Sequence, residues 1–232
     1  MSSTYLITGA NRGIGLEFAG QLAAKGISVI AGVRNPESAE TLHGLNIPVE
    51  TLDVANTVSV TAFAERLEGR PVDVLINNAG ISATHADDPR EGRPLEQLKL
   101  DEMPRLFDVN SIGPVRVTQA LLPNLRAGRR KVVVNISSNL GSITDNTEAG
   151  WYAYRASKAA LNMLNRSMAI ELGAEGFTCV VIHPGWVRTD MGGPEAPLST
   201  KESVTGMLNV IDQLTTKDNG CFLDYHGQTM PW

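Results

Sequence analysis

Short apolar runs alternate with amphipathic helical patterns along nearly the whole of this 232-residue chain. The apolar runs are continuous, as in strands that are buried on both faces of a parallel sheet. Seven such runs lie near residues 5–7, 28–31, 49–52, 72–76, 131–136, 177–182 and 221–223. Because parallel strands need crossover connections, the alternation predicts a single α/β domain over residues 1–232, with about seven parallel strands and helices on both faces.

Helical patterns fill most of the intervals between these strands. They cover residues 16–23, a short stretch after Pro36, and residues 58–67, 100–125, 152–172 and 202–214. Residues 100–125 are expected to form one long helix. Two connections are not periodic: residues 82–98 predict a surface excursion, and the Gly- and Pro-rich residues 191–200 predict a mobile loop.

The bulk composition excludes several classes of partner. The net charge is −5, which argues against nucleic acid and against an anionic membrane surface as general partners. No apolar run approaches the length of a membrane-spanning helix. The first strand begins near residue 4, so no signal peptide is expected and the predicted location is cytoplasmic. The four histidines show no metal-ligand spacing, so no metal is predicted.

A glycine-rich turn, Thr8–Gly15, follows the first strand and opens the first helix. The free N–H groups and partial positive charge of a helix N-terminus suit a phosphate. Gly9, Gly13 and Gly15 allow positive φ angles or close approach of the backbone to a ligand. Such a turn can also serve only to pack strand on helix, but its position favours a dinucleotide site in a Rossmann-type fold.

The residues after the second and third strands bear on the type of dinucleotide. The second strand is followed by Val33 and Arg34 and not by a carboxylate, and Arg12 lies in the glycine turn. Two guanidinium groups that converge there would suit the 2′-phosphate of NADP(H), although both are also ordinary surface residues. Asp53 follows the third strand and is either an adenine ligand or a helix cap.

Tyr154 and Lys158 lie four residues apart at the start of a helix and therefore share one face. An ammonium group near the phenol is expected to lower the tyrosine pKa from about 10 and make it a usable acid–base group. Tyr152 has Ala156 at the same spacing and lacks such a partner. Asn77-Asn78-Ala79-Gly80 follows the fourth strand, and Ser137-Ser138 follows the fifth. Asn77 is expected to have a supporting role.

The glycine turn, the Asn-Asn-Ala-Gly turn, the serine pair and Tyr154/Lys158, in this order, resemble the short-chain dehydrogenase/reductase family over nearly the whole chain. Residues 154–162, with the ending Phe222-Leu223-Asp224-Tyr225 and Pro231-Trp232, resemble its C-factor and sniffer-like carbonyl reductases more closely. This resemblance implies an NADP-dependent enzyme that acts on a small carbonyl or alcohol substrate.

The resemblance also implies roles for individual residues. Ser138 would bind the substrate oxygen, Tyr154 would exchange its proton, and Lys158 would hold the nicotinamide ribose. Asn110 would support a water-linked proton path to Lys158. The implied cofactor-binding positions are Gly9, Asn11, Arg12, Gly13, Ile14, Gly15, Arg34, Asp53, Val54, Asn78, Ala79, Gly80, Tyr154, Lys158, Pro184, Gly185, Val187 and Thr189.

One spacing departs from the family pattern. Sixteen positions separate Ser138 from Tyr154, more than is usual in the family, so residues 144–150 are expected to loop out. If they do not, Ser137 or Ser142 is the partner of Tyr154. The hydrophobic residues expected near the cleft are Leu140, Trp151, Trp186 and Met191, which would favour apolar or aromatic substrates.

Two other functions fit the same residues. The chain could bind the dinucleotide as a sensor or signalling protein with little or no catalysis, or it could be an NAD-linked alcohol dehydrogenase. The long helices near 100–125 and 152–172 could form a homodimer or homotetramer, although a monomer fits equally well.

Overall fold

The computed structural model describes residues 3–82 and 95–232, which form a seven-stranded parallel sheet with helices around it. The strands are β1 (Thr4–Thr8), β2 (Ser28–Val33), β3 (Val49–Thr51), β4 (Val74–Asn77), β5 (Val132–Ile136), β6 (Thr178–His183) and β7 (Phe222–Asp224). Their order is β3-β2-β1-β4-β5-β6-β7. The predicted doubly wound fold is confirmed, and its strand order reverses between β1 and β4, where such sheets bind ligands.

The helices connect successive strands, as the sequence predicts. They are α1 (Gly13–Ala24), α2 (Glu40–Gly44), α3 (Thr57–Arg66), α4 (Met103–Phe107), α5 (Gly113–Ala120), α6 (Leu122–Ala127), α7 (Tyr152–Gly173) and α8 (Thr200–Gln213). None of the helices in the described ranges is both long enough and apolar enough to cross a bilayer.

The core consists of two layers, one on each face of the sheet. Alternate residues of β1 show the division, since Tyr5 and Ile7 belong to one buried cluster and Leu6 to the other. Helices α1 and α8 cover the first layer, and α3, α5 and α7 cover the second. Strands that are buried on both faces explain the continuous apolar runs.

The long helix expected over residues 100–125 is instead divided. A π-helical turn over Asp108–Ile112 separates α4 from α5, and α6 begins anew at Leu122. Pro104, Pro114 and Pro123 occupy the first turns of α4, α5 and α6, where the missing N–H group is tolerated. The helical periodicity continued through these breaks, which is why the sequence pattern did not reveal them.

Two segments that were expected to lack regular structure, residues 144–150 and residues 82–98, have different outcomes. Residues 144–150 do loop out between a 3₁₀ turn (Asn139–Gly141) and α7, and all but Gly150 are exposed. Most of the predicted surface excursion at 82–98 lies outside the described residues.

A ladder of buried asparagines joins β4, β5 and α7. Asn77 Nδ2 donates to Asn135 Oδ1 at 2.9 Å, Asn135 Nδ2 donates to Asn165 Oδ1 at 2.8 Å, and Asn165 Nδ2 donates to the Cys179 carbonyl at 3.4 Å. Asn77 therefore has the supporting position that the sequence suggested, and it fixes β4 against β5 beneath the cleft.

Replacing Asn135 by alanine is expected to lower the free energy of unfolding by about 3 kcal/mol, since two buried amides would lose a partner. Chemical denaturation of Asn135→Ala measures this loss. Asn146→Ala, in the exposed loop, is the control and should change stability by less than about 0.5 kcal/mol. A similar small change for Asn135→Ala would show that the ladder contributes little.

Candidate active site

The carboxyl ends of the central strands open onto one cleft with an empty volume of about 1140 Å³, counted to its open mouth. Fifteen of the predicted site residues line it: Gly9, Asn11, Arg12, Gly13, Ile14, Arg34, Asp53, Val54, Asn78, Ala79, Gly80, Tyr154, Lys158, Pro184 and Thr189. The five predicted residues outside the cleft lining are Gly15, Asn110, Ser138, Gly185 and Val187. Cleft residues that the sequence did not single out include Leu52, Ile81, Arg105, Val109, Ile136 and Asp190.

The glycine turn leaves the start of α1 open to the cleft. Arg12 is the N-cap of α1 and has extended backbone, and its side chain does not cap the helix. Gly9 has φ +65°, and a Cβ there would lie 3.0 Å from Ala79 Cα. A side chain at Gly9 would therefore be both strained and crowded. The open first turn of α1 is available to an anionic group such as a pyrophosphate.

Gly15 has a packing role instead of lining the cleft. A Cβ at this position would lie 2.4 Å from the Gly9 carbonyl oxygen and 2.5 Å from Asn78 Nδ2. Asn78 Nδ2 donates to the carbonyl oxygens of Thr8 and Gly9, at 3.0 and 3.2 Å. Asn78 thus holds the turn in place, and the absence of a side chain at Gly15 makes room for it.

The charged residues at the end of the cleft where the adenosine is expected are arranged differently from the prediction. Arg12 and Arg34 both line the cleft, but Arg12 Nη1 is 2.7 Å from Asp190 Oδ2, in the segment after β6. Asp190 thus competes with any phosphate for Arg12. The Asp53 carboxylate accepts the Ala55 N–H at 3.0 Å, while Asn56 caps α3 by accepting from Ser59 N. Asp53 therefore borders the cleft and also stabilises a local turn.

The Ser138 side chain lies close enough to the Tyr154 phenol to lower its pKa. Ser138 Oγ itself donates to Asn139 Oδ1 at 3.3 Å and accepts from Leu140 N at 3.2 Å. Ser138 follows β5 and Tyr154 lies in the first turn of α7, so the looped-out residues 144–150 do not separate them. The two alternative serines have other partners: Ser137 Oγ donates to Asn162 Oδ1 at 2.7 Å, and Ser142 Oγ donates to the Trp232 carbonyl at 3.2 Å. Ser138 is thus the one of these three serines that acts on the pKa of Tyr154.

Lys158 lies on the same side of α7 as Tyr154, one turn later. Its Nζ is 5.7 Å from the centre of the Tyr154 ring and donates to the Ile136 carbonyl at 2.9 Å. Only 6% of Lys158 is exposed. The cleft therefore contains a buried amine beside a phenol, as the spacing predicted.

Burial controls the acid–base properties of this pair. It raises the pKa of Tyr154 to about 12, against the nearby Ser138 side chain, which acts to lower it. It also lowers the pKa of Lys158 to about 8. The prediction that Lys158 brings the tyrosine pKa below its usual value is therefore wrong for this structure, where desolvation of the phenolate is the largest influence on that pKa.

Asn110 lies in the π-helical turn and is fully buried. Its Oδ1 accepts from Ile81 N at 2.9 Å, and its Nδ2 donates to the Ile81 carbonyl at 2.8 Å and to Ser157 Oγ at 3.0 Å. A Cβ on Gly80 would lie 3.3 Å from Asn110 Oδ1 and 3.7 Å from Lys158 Nζ. Asn110 thus fixes the backbone beside Lys158 without lining the cleft.

The segment after β6 forms the far wall of the cleft. Pro184 and Thr189 line it, whereas Gly185 (φ +81°) and Val187 pack against Leu198 behind that wall.

The loop predicted to be mobile is well tied to this segment. Arg188 N donates to the Leu198 carbonyl at 2.8 Å, and Arg188 Nη1 donates to the carbonyls of Ala196 and Pro197, each at 2.8 Å. This pattern does not support the expectation of a loosely held loop.

Comparisons with known proteins agree with this geometry. A family model described as short chain dehydrogenase matches residues 3–197. C-signal of Myxococcus xanthus is 50% identical over 171 residues, which are 74% of this chain and 99% of that protein.

Several solved structures cover the entire chain, and carbonyl reductases from animals are among them. The NADPH-bound carbonyl reductase from chicken fatty liver has 37% identity and a TM-score of 0.89, with 99% of its own chain covered. Carbonyl reductase Sniffer of D. melanogaster has 32% identity and a TM-score of 0.90, with 100% of its chain covered. The chain therefore belongs to the short-chain dehydrogenase family of oxidoreductases and is similar to its carbonyl reductases.

Proposed function

We propose that this protein reduces a ketone, an aldehyde or a quinone-like carbonyl with NADPH, using Ser138, Tyr154, Lys158 and Asn110. The observation that carries the proposal is the placement of the Tyr154 phenol beside the buried amine of Lys158, with Ser138 close enough to act on the phenol. Tyr154 and Lys158 line the same cleft as an uncapped helix N-terminus that suits a pyrophosphate.

The cleft fits a dinucleotide along its length. The first turn of α1 and the backbone at Gly13 and Ile14 would hold the pyrophosphate, and Asp53 and Val54 would border the adenine end. Lys158 would bind the nicotinamide ribose hydroxyls. When bound, the reduced nicotinamide supplies the hydride that the reaction needs.

The proposed acid–base roles follow from the hydrogen-bonding groups. Ser138 and Tyr154 would bind the carbonyl oxygen and stabilise the negative charge that develops there. Because burial raises the pKa of Tyr154 to about 12, its phenol is protonated at neutral pH and can donate its proton to that oxygen. Asn110 would act as a positioning residue through the backbone at Ile81.

NADPH is the proposed cofactor because Arg12 lies in the glycine turn and because Arg34, and no carboxylate, directly follows β2. The NADPH-bound chicken carbonyl reductase supports this preference through its similarity to the chain. Arg34 is the primary candidate for the 2′-phosphate, since Arg12 is paired with Asp190.

Arg34→Ala is expected to weaken NADPH binding about tenfold, which corresponds to the loss of one charged hydrogen bond of about 1.4 kcal/mol. NADH binding should change less than about twofold, because NADH lacks the phosphate. Fluorescence titration with each dinucleotide measures both constants. Arg70→Ala removes a surface arginine that bonds to Ser28, and serves as the matched control. An equal loss for both dinucleotides would contradict the assignment.

The substrate is proposed to carry an apolar or aromatic group. Met191 lines the cleft, and Trp186, which is 57% exposed, lies between the lining residues Pro184 and Thr189. Such side chains favour substrates that bury apolar surface on binding.

Mixing purified protein with NADPH and a panel of ketones, aldehydes and quinones tests the proposal through the loss of absorbance at about 340 nm. Oxidation of NADPH by one or more carbonyls is the expected result. The similarity to C-signal keeps a dinucleotide sensor as the second candidate. A sensor would bind NADPH tightly and oxidise none of it, whereas an alcohol dehydrogenase would prefer NADH.

A further inference from the structure

The segment after β7, residues 225–232, runs back toward the serine side of the cleft and is here called the return segment. Thr229 pairs antiparallel with Leu223, and Met230 N donates to the Phe222 carbonyl at 2.8 Å. Met230 packs against a buried cluster of Leu161, Val181 and Phe222. The return segment is thereby anchored both on β7 and on α7, the helix that carries Tyr154.

Trp232 in the return segment makes two kinds of contact. Its ring lies 5.5 Å from the ring of Phe222, measured between centroids. Its main-chain oxygen accepts two hydrogen bonds, from Ser142 Oγ at 3.2 Å and from Thr144 N at 2.9 Å. These bonds hold the start of the exposed loop that separates Ser138 from Tyr154.

Ser142 directly follows the 3₁₀ turn that begins at Ser138. Ser138 Oγ accepts from Leu140 N at 3.2 Å, the Ser138 carbonyl accepts from Gly141 N at 2.9 Å, and Ser142 N donates to the Asn139 carbonyl at 2.9 Å. A movement of Ser142 is therefore transmitted to Ser138 through a single turn of backbone.

The opposite side of this turn rests on α7. Asn162 Nδ2 donates to the Gly141 carbonyl at 3.2 Å, and a Cβ on Gly141 would lie 2.9 Å from Lys158 Cβ. The turn is thus held between α7 and Trp232, and the position of Ser138 relative to Tyr154 depends on both supports.

We propose that Trp232 is a positioning residue for Ser138, acting through Ser142 and the 3₁₀ turn. This inference rests on the proposed function only for its catalytic consequence. The return segment contributes no group to the chemistry; it fixes the distance between the two hydroxyls that would bind the carbonyl oxygen.

Two variants weaken the support at different points, and a third is the control. Trp232→Ala removes the ring that anchors the main-chain oxygen, and Ser142→Ala removes one of the two hydrogen bonds. Each is expected to lower kcat about tenfold, because small displacements of catalytic groups are costly. The dissociation constant for NADPH should stay within about twofold, since the 3₁₀ turn does not contact the glycine turn and Lys158 keeps its hydrogen bond to the Ile136 carbonyl. Trp232→Phe keeps an aromatic ring and should retain most activity.

Kinetics in a Ser138→Ala background separate positioning from general damage. If Trp232 acts through Ser138, adding Trp232→Ala to Ser138→Ala should cause little further loss of kcat, because the two changes affect one interaction. A full additional tenfold loss in that background would overturn the proposal.

Native-state hydrogen exchange tests the same inference without catalysis. In Trp232→Ala the amides of both Thr144 and Leu140 should exchange about tenfold faster or more, while that of Val180 in β6 stays unchanged. Faster exchange at Thr144 alone would show that the return segment holds only the loop, and would overturn the proposal. Failure of the wild-type protein to oxidise NADPH would overturn the proposed function and leave this result decisive for the positioning of Ser138.

Discussion

Tyr154→Phe is expected to lower the rate of carbonyl reduction about 10²- to 10⁴-fold, the range that a positioned general acid contributes. The substitution removes only the phenolic hydroxyl. It keeps the ring, which packs against Trp151 at 6.2 Å between centroids and lies 5.7 Å from Lys158 Nζ. The variant should therefore fold normally and bind NADPH with a dissociation constant within about threefold of the wild type. NADPH oxidation at saturating cofactor, with a separate binding titration, measures both quantities.

Tyr152→Phe is the matched control for this prediction. Tyr152 lies two residues earlier on the same helix, is 38% exposed, and is absent from the cleft lining. Removing the Tyr152 hydroxyl should leave turnover unchanged. Wild-type turnover in Tyr154→Phe, or an equal loss in both variants, would remove Tyr154 from its proposed role.

Local spacing explains why much of the site could be predicted from the sequence. Tyr154 and Lys158 are one helical turn apart, so any helix there brings them to one face. The glycine turn follows the first strand directly, and strand ends of one sense gather at one edge of the sheet. Proximity of this kind is set by a few residues of chain and is therefore visible in the sequence.

Other features depend on contacts between distant residues. Arg12 and Asp190 are 178 positions apart, so their ion pair and its competition for the 2′-phosphate could not be read from either motif. The tyrosine pKa was misjudged for a related reason. Spacing showed the nearby charge of Lys158, but the desolvation of the phenol depends on the tertiary structure around the cleft, which the spacing does not show.

The prediction of one long helix over residues 100–125 was wrong for a local reason that the sequence contains. Pro104, Pro114 and Pro123 each mark a helix start, and proline is favoured in the first turn of a helix. The π-helical turn that carries Asn110 has no comparable signal, because it arises where α4 and α5 adjust to α7 and to Ile81.

The burial of Lys158, which the proposed activity uses, lowers the free energy of unfolding. The pKa of Lys158 is lowered from 10.5 to about 8 by burial, so at neutral pH the folded protein holds an ammonium group that the surroundings disfavour. At about 1.4 kcal/mol per pKa unit, this lowers the free energy of unfolding by about 3 kcal/mol at pH 7. The hydrogen bond from Lys158 to the Ile136 carbonyl is present in this folded state, so it does not remove the cost.

Lys158→Met is therefore expected to reduce turnover about 10²-fold or more. It should also raise the free energy of unfolding at pH 7 by about 2 kcal/mol, which is the gain of about 3 kcal/mol from removing the buried charge less about 1 kcal/mol for the lost hydrogen bond. The sign follows from proton binding: between pH 8 and 10.5 the unfolded chain keeps the Lys158 proton that the folded chain has lost. Wild-type stability should therefore rise over this interval relative to the variant, so the difference between them shrinks. Urea denaturation from pH 6 to 10 measures it, with the exposed Lys201→Met as control. A variant less stable than the wild type at every pH would show that the lysine is not buried at a cost, and that its charge is compensated within the empty site.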